Sequence, residues 1–171
     1  TCFENKTFFL SNEKAYMLQD EVTKLRERDG EKVMGFKVGC TGTGTTKLFG
    51  MEGPIRGTLF DREILTDNAH LNPNLFCNLA VEAEMAMYVS ENKEIESVFP
   101  VIELHNFVFK ASKKSLSELI ANNGLNRGLI LSEKSWQRKP EDYDETHSLS
   151  LEINGCIIDE GNLWPMLGGP S

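Results

Sequence analysis

Leu79 to Val89 reads LAVEAEMAMYV, and the stretch from Phe99 to Phe109 reads FPVIELHNFVF. The first alternates with a period of two, which is the signature of a β-strand. Val81, Ala83, Met85, Met87 and Val89 fall on one side, and Glu82, Glu84, Ala86 and Tyr88 on the other. A strand with one wet face would carry Glu82 and Glu84 towards water. The residues that follow on their side are Ala86 and Tyr88, not further charges, and Glu103 sits inside an equally apolar second strand. Glu82 and Glu84 stand about 7 Å apart on one face, so they repel by about 2 kcal/mol at an effective dielectric of about 20. Burial adds to that cost unless the groups are protonated or share a cation. Three oxygen donors suit a hard dication such as Mg²⁺, Mn²⁺ or Ca²⁺.

Outward from these strands, the chain reads as one mainly-β domain of the α+β class. Ser11 to Arg28 has the spacing of an amphipathic helix, with Ala15, Leu18, Val22 and Leu25 on its apolar face and Asp29-Gly30 as its stop. Val33 to Cys40 is short and β-prone and runs into a loop, Thr41 to Thr46. The second long strand is expected from about Val98 to Phe109, with Pro100 marking an edge or an irregular entry. Ser115 and Glu118 have capping-box spacing for a short helix that stops at Asn123-Gly124. Gly128 to Ser132 is a further strand, and Asn154-Gly155 joins two strands as a type I′ hairpin.

The chain has 171 residues with 18 Lys plus Arg and 26 Asp plus Glu, a net charge of −8. That charge, with no basic cluster, excludes duplex nucleic acid as a partner. No apolar run reaches the roughly 20 residues of a membrane span. The opening TCFENKTFFLSNEK is too polar for a signal peptide and lacks an initiating Met, in keeping with a trimmed or processed start. Cys2, Cys40, Cys77 and Cys156 form no CxxC pair, and His70, His105 and His147 are scattered. Free thiols in a reducing cytoplasm are therefore expected, without a zinc cluster.

Lys37 is a further oddity. It stands between apolar neighbours in GFKVG (Gly35 to Gly39), where glycines allow close approach. A strand-end lysine often snorkels to water. The alternative is a cation placed to meet an anionic substrate or to exchange a proton. His105 alternates with Glu103 and can face the same cavity. His70 and His147 lie in turn-rich or acidic stretches and read as surface residues. Trp136 and Trp164 read as core or interface anchors.

GFKVGCT (Gly35 to Thr41), GPIRGTLF (Gly53 to Phe60), VEAEMAMYV (Val81 to Val89), PVIEL (Pro100 to Leu104), ELIANNGLNRGLIL (Glu118 to Leu131) and MLGGP (Met166 to Pro170) occur in this order. In these motifs the chain resembles the 2-keto-4-pentenoate hydratase / 4-oxalocrotonate decarboxylase family of the fumarylacetoacetate hydrolase superfamily. The resemblance implies a mixed β-roll with flanking helices. It implies Glu82, Glu84 and Glu103 as ligands of Mg²⁺ or Mn²⁺ and Lys37 as the catalytic lysine. It implies a lyase of the hydratase type that acts on a small 2-oxo or 2-hydroxydienoate acid, from aromatic-compound catabolism, through a metal-stabilised enolate. A 4-oxalocrotonate-type decarboxylase and a non-catalytic truncated relative are the alternatives.

Three departures from the family pattern bear on that choice. The acid that hydratases carry at the stretch matching Ile55-Arg56 is absent, as in decarboxylase-like members. After Glu103 the chain reads His105-Asn106-Phe107 where the family has a polar D-x-R. The chain stops at GGPS where relatives continue, so residues 1–171 are expected to be a single, incomplete catalytic domain with its C-terminal part missing. C–C bond hydrolysis of acylpyruvates is disfavoured, because that chemistry needs a His/Glu pair near the first motif and no His precedes His70. Relatives form symmetric oligomers, so a cytoplasmic homo-oligomer is expected.

Overall fold

In the computed structural model, residues 10–49, 54–109, 114–134, 138–143 and 146–164 are described. The elements run α1 (Asn12–Arg28), β1 (Val33–Gly39), α2 (Thr43–Phe49), β2 (Ile55–Phe60), β3 (Ile64–Thr66), β4 (Leu79–Val89), β5 (Ile95–Asn106), α3 (Leu116–Ala121), β6 (Asn126–Leu131), β7 (Ser148–Ile153) and β8 (Cys156–Asn162). Their arrangement is mainly β. A four-stranded sheet has the order β3-β6-β5-β4, and β1-β2 and β7-β8 are two-stranded ladders. The large sheet is mixed, since β3 runs parallel to β6 while the other pairs are antiparallel.

Leu79–Val89 forms the expected strand, and Glu82 pairs with Glu103 directly across the ladder. Opposed residues share a face, so Glu82, Glu84, Val101 and Glu103 project together. That face also carries the core cluster of Phe99, Val101, Leu129 and Leu131, against which Leu59, Ile64 and Ala86 pack. Glu103 is thus a buried carboxylate on the apolar side of the sheet.

Pro100 is not on an edge strand, because β5 lies between β4 and β6. The last β5–β6 pair is Val101 with Leu131, so at Pro100 the missing N–H falls beyond the end of β6. Beyond it, the Val98 N–H donates to the Arg138 carbonyl.

The N-terminal helix starts as expected, with the Ser11 hydroxyl accepting from the Lys14 N–H. It docks on the expected face at Ala15 but not along the rest of that stripe. Ala15 and Gln19 are its buried residues, and Leu18, Val22 and Leu25 are exposed. The small Ala15 allows close packing on Ile55 and Ile120. The Gln19 amide donates to the Arg56 and Ile120 carbonyls, so a polar clamp rather than the leucine stripe fixes the helix.

The segment expected as a loop at Thr41 to Thr46 is helical from Thr43. The Ser115–Glu118 capping box forms, and Asn154 and Gly155 adopt the left-handed conformations of the expected hairpin turn. The cysteine expectation holds for Cys40 and Cys156, which are free. It is corrected at Cys77, which is disulfide-bonded. Among the described residues no helix is long and apolar enough to cross a membrane. Cys2, Trp136 and MLGGP lie outside the described residues.

Candidate metal centre

Lys37 enters from β1, whose alternation turns Lys37 inward and Phe36 and Val38 outward. Its ammonium donates to Glu103 Oε1 at 2.5 Å and to the Gly124 carbonyl at 3.1 Å, and lies 3.1 Å from His105 Nε2. His105 Nε2 is in turn 3.1 Å from Glu103 Oε1, and its Nδ1 faces Glu82 Oε1 at 3.7 Å. The Lys37 and Glu103 side chains are 8% and 6% exposed, so this ion pair is largely shielded from water.

The turn that supplies the Gly124 carbonyl is a strained one. Asn123, Gly124 and Leu125 all have positive φ, and Leu125 is buried there. The Asn123 amide holds the turn in place. It accepts from the Thr58 N–H and donates to the Thr58 carbonyl, as a neighbouring strand would.

Of the expected site residues, Lys37, Glu82 and Glu103 converge, and His105 joins them. Glu84 stands on the same face, two residues along β4 from Glu82. It is outside the tightest cluster: ligand atoms of Glu82, Glu103 and His105 lie within 4.8 Å of one another. Loss of surrounding water, then the charges of Glu103 and Glu82, push the Glu84 carboxyl up from its ordinary value. Burial also acts to raise Glu103. The hydrogen bond with His105 and the charge of Lys37 together outweigh it, and the Glu103 carboxyl is held below its usual range.

A cleft of about 280 Å³ opens between β4 and the β7–β8 hairpin, with Glu82, Glu84, Asp159 and Glu160 in its wall. So acidic a wall repels an anion unless a cation is bound beside it. Carboxylate oxygens opposed across two strands, with an imidazole between them, fit a divalent cation. Ile55, in the segment where the family's hydratases carry an acid, is buried against Ala15 and Ile120. Its neighbour Arg56 is engaged by Asp20 and Gln19. No carboxylate belonging to this segment reaches the site.

Sequence reasoning missed the Gly124 carbonyl and the Asn123 clamp. A backbone acceptor carries no residue signature, and Asn123-Gly124 reads simply as a helix stop. Of the two glycines that flank Lys37, Gly39 does border it, since a side chain built there would lie 3.5 Å from Lys37 Cε, but Gly35 does not. Nothing lies within 4 Å of a side chain built at Gly35, whereas one at Gly57 or Gly124 would meet the lysine.

No protein-family model matches the chain. It is 25% identical over 169 residues to a 4-oxalocrotonate decarboxylase of Pseudomonas putida, covering 91% of this chain and 63% of that protein. It is 24% identical to the enzyme of the same name from Pseudomonas sp. (strain CF600), covering 92% and 64%. The chain therefore spans just under two thirds of the length of these relatives. Its fold matches a 4-oxalocrotonate decarboxylase from Pseudomonas putida G7 complexed with magnesium and adipate, at a TM-score of 0.81 and 23% identity over 93% of this chain and 65% of that one. A calcium and acetate complex of that enzyme matches at a TM-score of 0.77 and 22% identity, over 90% and 62%. The curated and structural neighbours of this chain are thus 4-oxalocrotonate decarboxylases, in line with the hydratase/decarboxylase resemblance that its motifs carry.

Proposed function

We propose that this chain carries the site of a divalent-metal-dependent decarboxylase of small 2-oxo acids. The carrying observation is the constellation on β1, β4 and β5 in which Lys37, Glu103, His105 and Glu82 meet within hydrogen-bonding or ion-pairing distance. Glu82, Glu84 and Glu103 would hold Mg²⁺ or Mn²⁺. When bound, the cation supplies Lewis-acid stabilisation of the charge that builds on the 2-oxo oxygen as CO₂ leaves.

Decarboxylation replaces a C–C bond with a C–H bond, so the site has to deliver one proton. Lys37 is the group placed to hold and move it, since its ammonium touches both Glu103 and His105. A relative that binds adipate alongside magnesium points to a dicarboxylate-sized substrate. Hydration is the weaker reading, because the Ile55-Arg56 segment gives the site no acid. The chain is further read as a cytoplasmic homo-oligomer.

The test is CO₂ release and loss of dienoate absorbance from 2-oxo dicarboxylates with added Mg²⁺ or Mn²⁺. Lys37→Ala is expected to abolish turnover while metal affinity is kept or increased, because the ammonium no longer competes for Glu103. Dienoate hydration without CO₂ would reinstate the hydratase reading. Absence of turnover on any 2-oxo acid, with metal still bound, would favour a non-catalytic relative.

A further inference from the structure

His105 is a buried imidazole whose two ring nitrogens have different neighbours. Nε2 is 3.1 Å from Glu103 Oε1. Nδ1 faces Glu82 Oε1 at 3.7 Å, too far for a hydrogen bond. Among the described residues, the atoms that gather most closely belong to Glu82, Glu103 and His105, and Glu84 is not in that set.

We propose that His105 is itself a metal ligand through Nδ1, beside Glu82, so that this chain's centre is a mixed nitrogen–oxygen site favouring transition dications over Mg²⁺ and Ca²⁺. The proposal rests on the metal-dependent reading above and deepens it. Two ligand atoms each about 2.1 Å from one ion can stand up to about 4.2 Å apart. The 3.7 Å between Nδ1 and Glu82 Oε1 therefore admits a shared cation.

A neutral histidine that ligates through one nitrogen keeps its proton on the other, and it characteristically donates that N–H to a carboxylate or carbonyl. Nε2 lies 3.1 Å from both Glu103 Oε1 and the Lys37 ammonium, and that ammonium has Glu103 Oε1 and the Gly124 carbonyl as its own acceptors; with the Nε2 proton given to Glu103, the Nδ1 lone pair faces Glu82. Lys37 bonds the same oxygen from β1, so the acceptor is held in place. Oxygen-only sites suit Mg²⁺ and Ca²⁺, whereas an imidazole shifts preference towards cobalt, zinc, nickel and iron.

The test is calorimetric titration of metal-free wild type and His105→Phe with CoCl₂ and MgCl₂ at one pH. Wild type is expected to bind Co²⁺ at least about tenfold more tightly than Mg²⁺; His105→Phe should lose about tenfold or more for Co²⁺ and less than about threefold for Mg²⁺. ¹⁵N NMR of wild type with ring-labelled histidine gives a reading that needs no variant. Added Zn²⁺ should shift the Nδ1 resonance of a single histidine and keep its Nε2 protonated. An unshifted Nδ1, or the same Co²⁺/Mg²⁺ preference in both proteins, overturns the assignment of His105 and leaves the metal-dependent reading standing. Wild type that binds neither cation overturns both.

Discussion

Gly57 stands directly opposite Lys37 in the β1–β2 ladder, and the lysine stem runs where a side chain at position 57 would be. A Cβ there would fall 2.6 Å from the Asn123 carbonyl oxygen and 2.9 Å from Lys37 Cγ. On the other side Gly124, at φ +64°, leaves 3.2 Å between a built Cβ and Lys37 Cε. The lysine thus reaches Glu103 through a slot walled by two glycines. Gly57→Ala has to displace backbone at Asn123 as well as the lysine, at about 1–3 kcal/mol of stability. Urea unfolding should show that loss together with a fall in turnover. An alanine variant that unfolds like wild type would remove the slot from the account.

Lys37 and Glu103 form a shielded pair, so deleting one partner strands the other. Lys37→Met leaves a buried carboxylate opposite Leu129 and Glu82, with His105 as its remaining stabilising partner among the described residues, at about 3–5 kcal/mol. Lys37→Met/Glu103→Gln should recover much of that loss, because the stranded charge is gone. Equal destabilisation of the single and double variants would show that packing of the lysine stem, not the charge, was lost.

What was legible in the sequence follows from what leaves a local mark. The alternation through Glu82 and Glu84 reports the face of β4, and parity alone puts His105 with Glu103 on β5. Lys37 stood out because a charge among apolar residues is locally improbable. The partners that meet it are set by register between distant segments. Asn123 mimics a strand edge for Thr58, 65 residues away, and nothing in its neighbourhood announces that. The helix face was misjudged for a related reason. Leu18, Val22 and Leu25 have the right rhythm, but Gln19 finds two backbone carbonyls to bond, and their positions depend on β2 and α3. A disulfide at Cys77 is equally a matter of distance in space, which spacing in sequence does not give.

Arg26 ties α1 to the start of β1. It donates to both oxygens of Glu31, at 3.0 and 2.6 Å, contacts Glu63 and stacks on the Phe60 ring. The hydrogen bond from Arg26 is the main cause holding the Glu31 carboxyl below its ordinary value of 4.5. A carboxyl lowered in the folded state contributes stability above its unfolded pKa, and that contribution disappears as pH falls through the folded value. Glu31→Gln should therefore cost about 1 kcal/mol at pH 7 and less at pH 3, below the ordinary value of the carboxyl. Urea midpoints of the two proteins at both pH values check this, and a gap that stays as large in acid would assign the effect to shape rather than charge.

Cys77 tests the cytoplasmic setting. Disulfides persist in oxidising compartments and are rare where glutathione keeps thiols reduced. If the chain works in the cytoplasm, protein trapped by rapid alkylation in the cell should carry Cys77 as the modified thiol. It should convert to the disulfide only after isolation in air. Quantitative disulfide at Cys77 in the trapped sample would place the chain in an oxidising compartment instead.

The inward turn of Lys37 has a consequence on the other side of β1. Because alternate residues face opposite ways, placing Lys37 against Glu103 forces Met34, Phe36 and Val38 outward, where they are 60%, 61% and 60% exposed. On α1 the stripe of Leu18, Val22 and Leu25 is exposed too. Soluble monomers seldom leave contiguous apolar surface of this kind uncovered. If the chain assembles with a second copy over β1, the same strand would link assembly to the site, since whatever fixes Phe36 also fixes the backbone that carries Lys37. Phe36→Glu should lower the mass measured by light scattering to that of one chain. It should reduce turnover more than it reduces metal affinity, because the glutamates sit on β4 and β5 rather than on β1. Wild type that scatters as a single chain would separate the apolar face from assembly altogether.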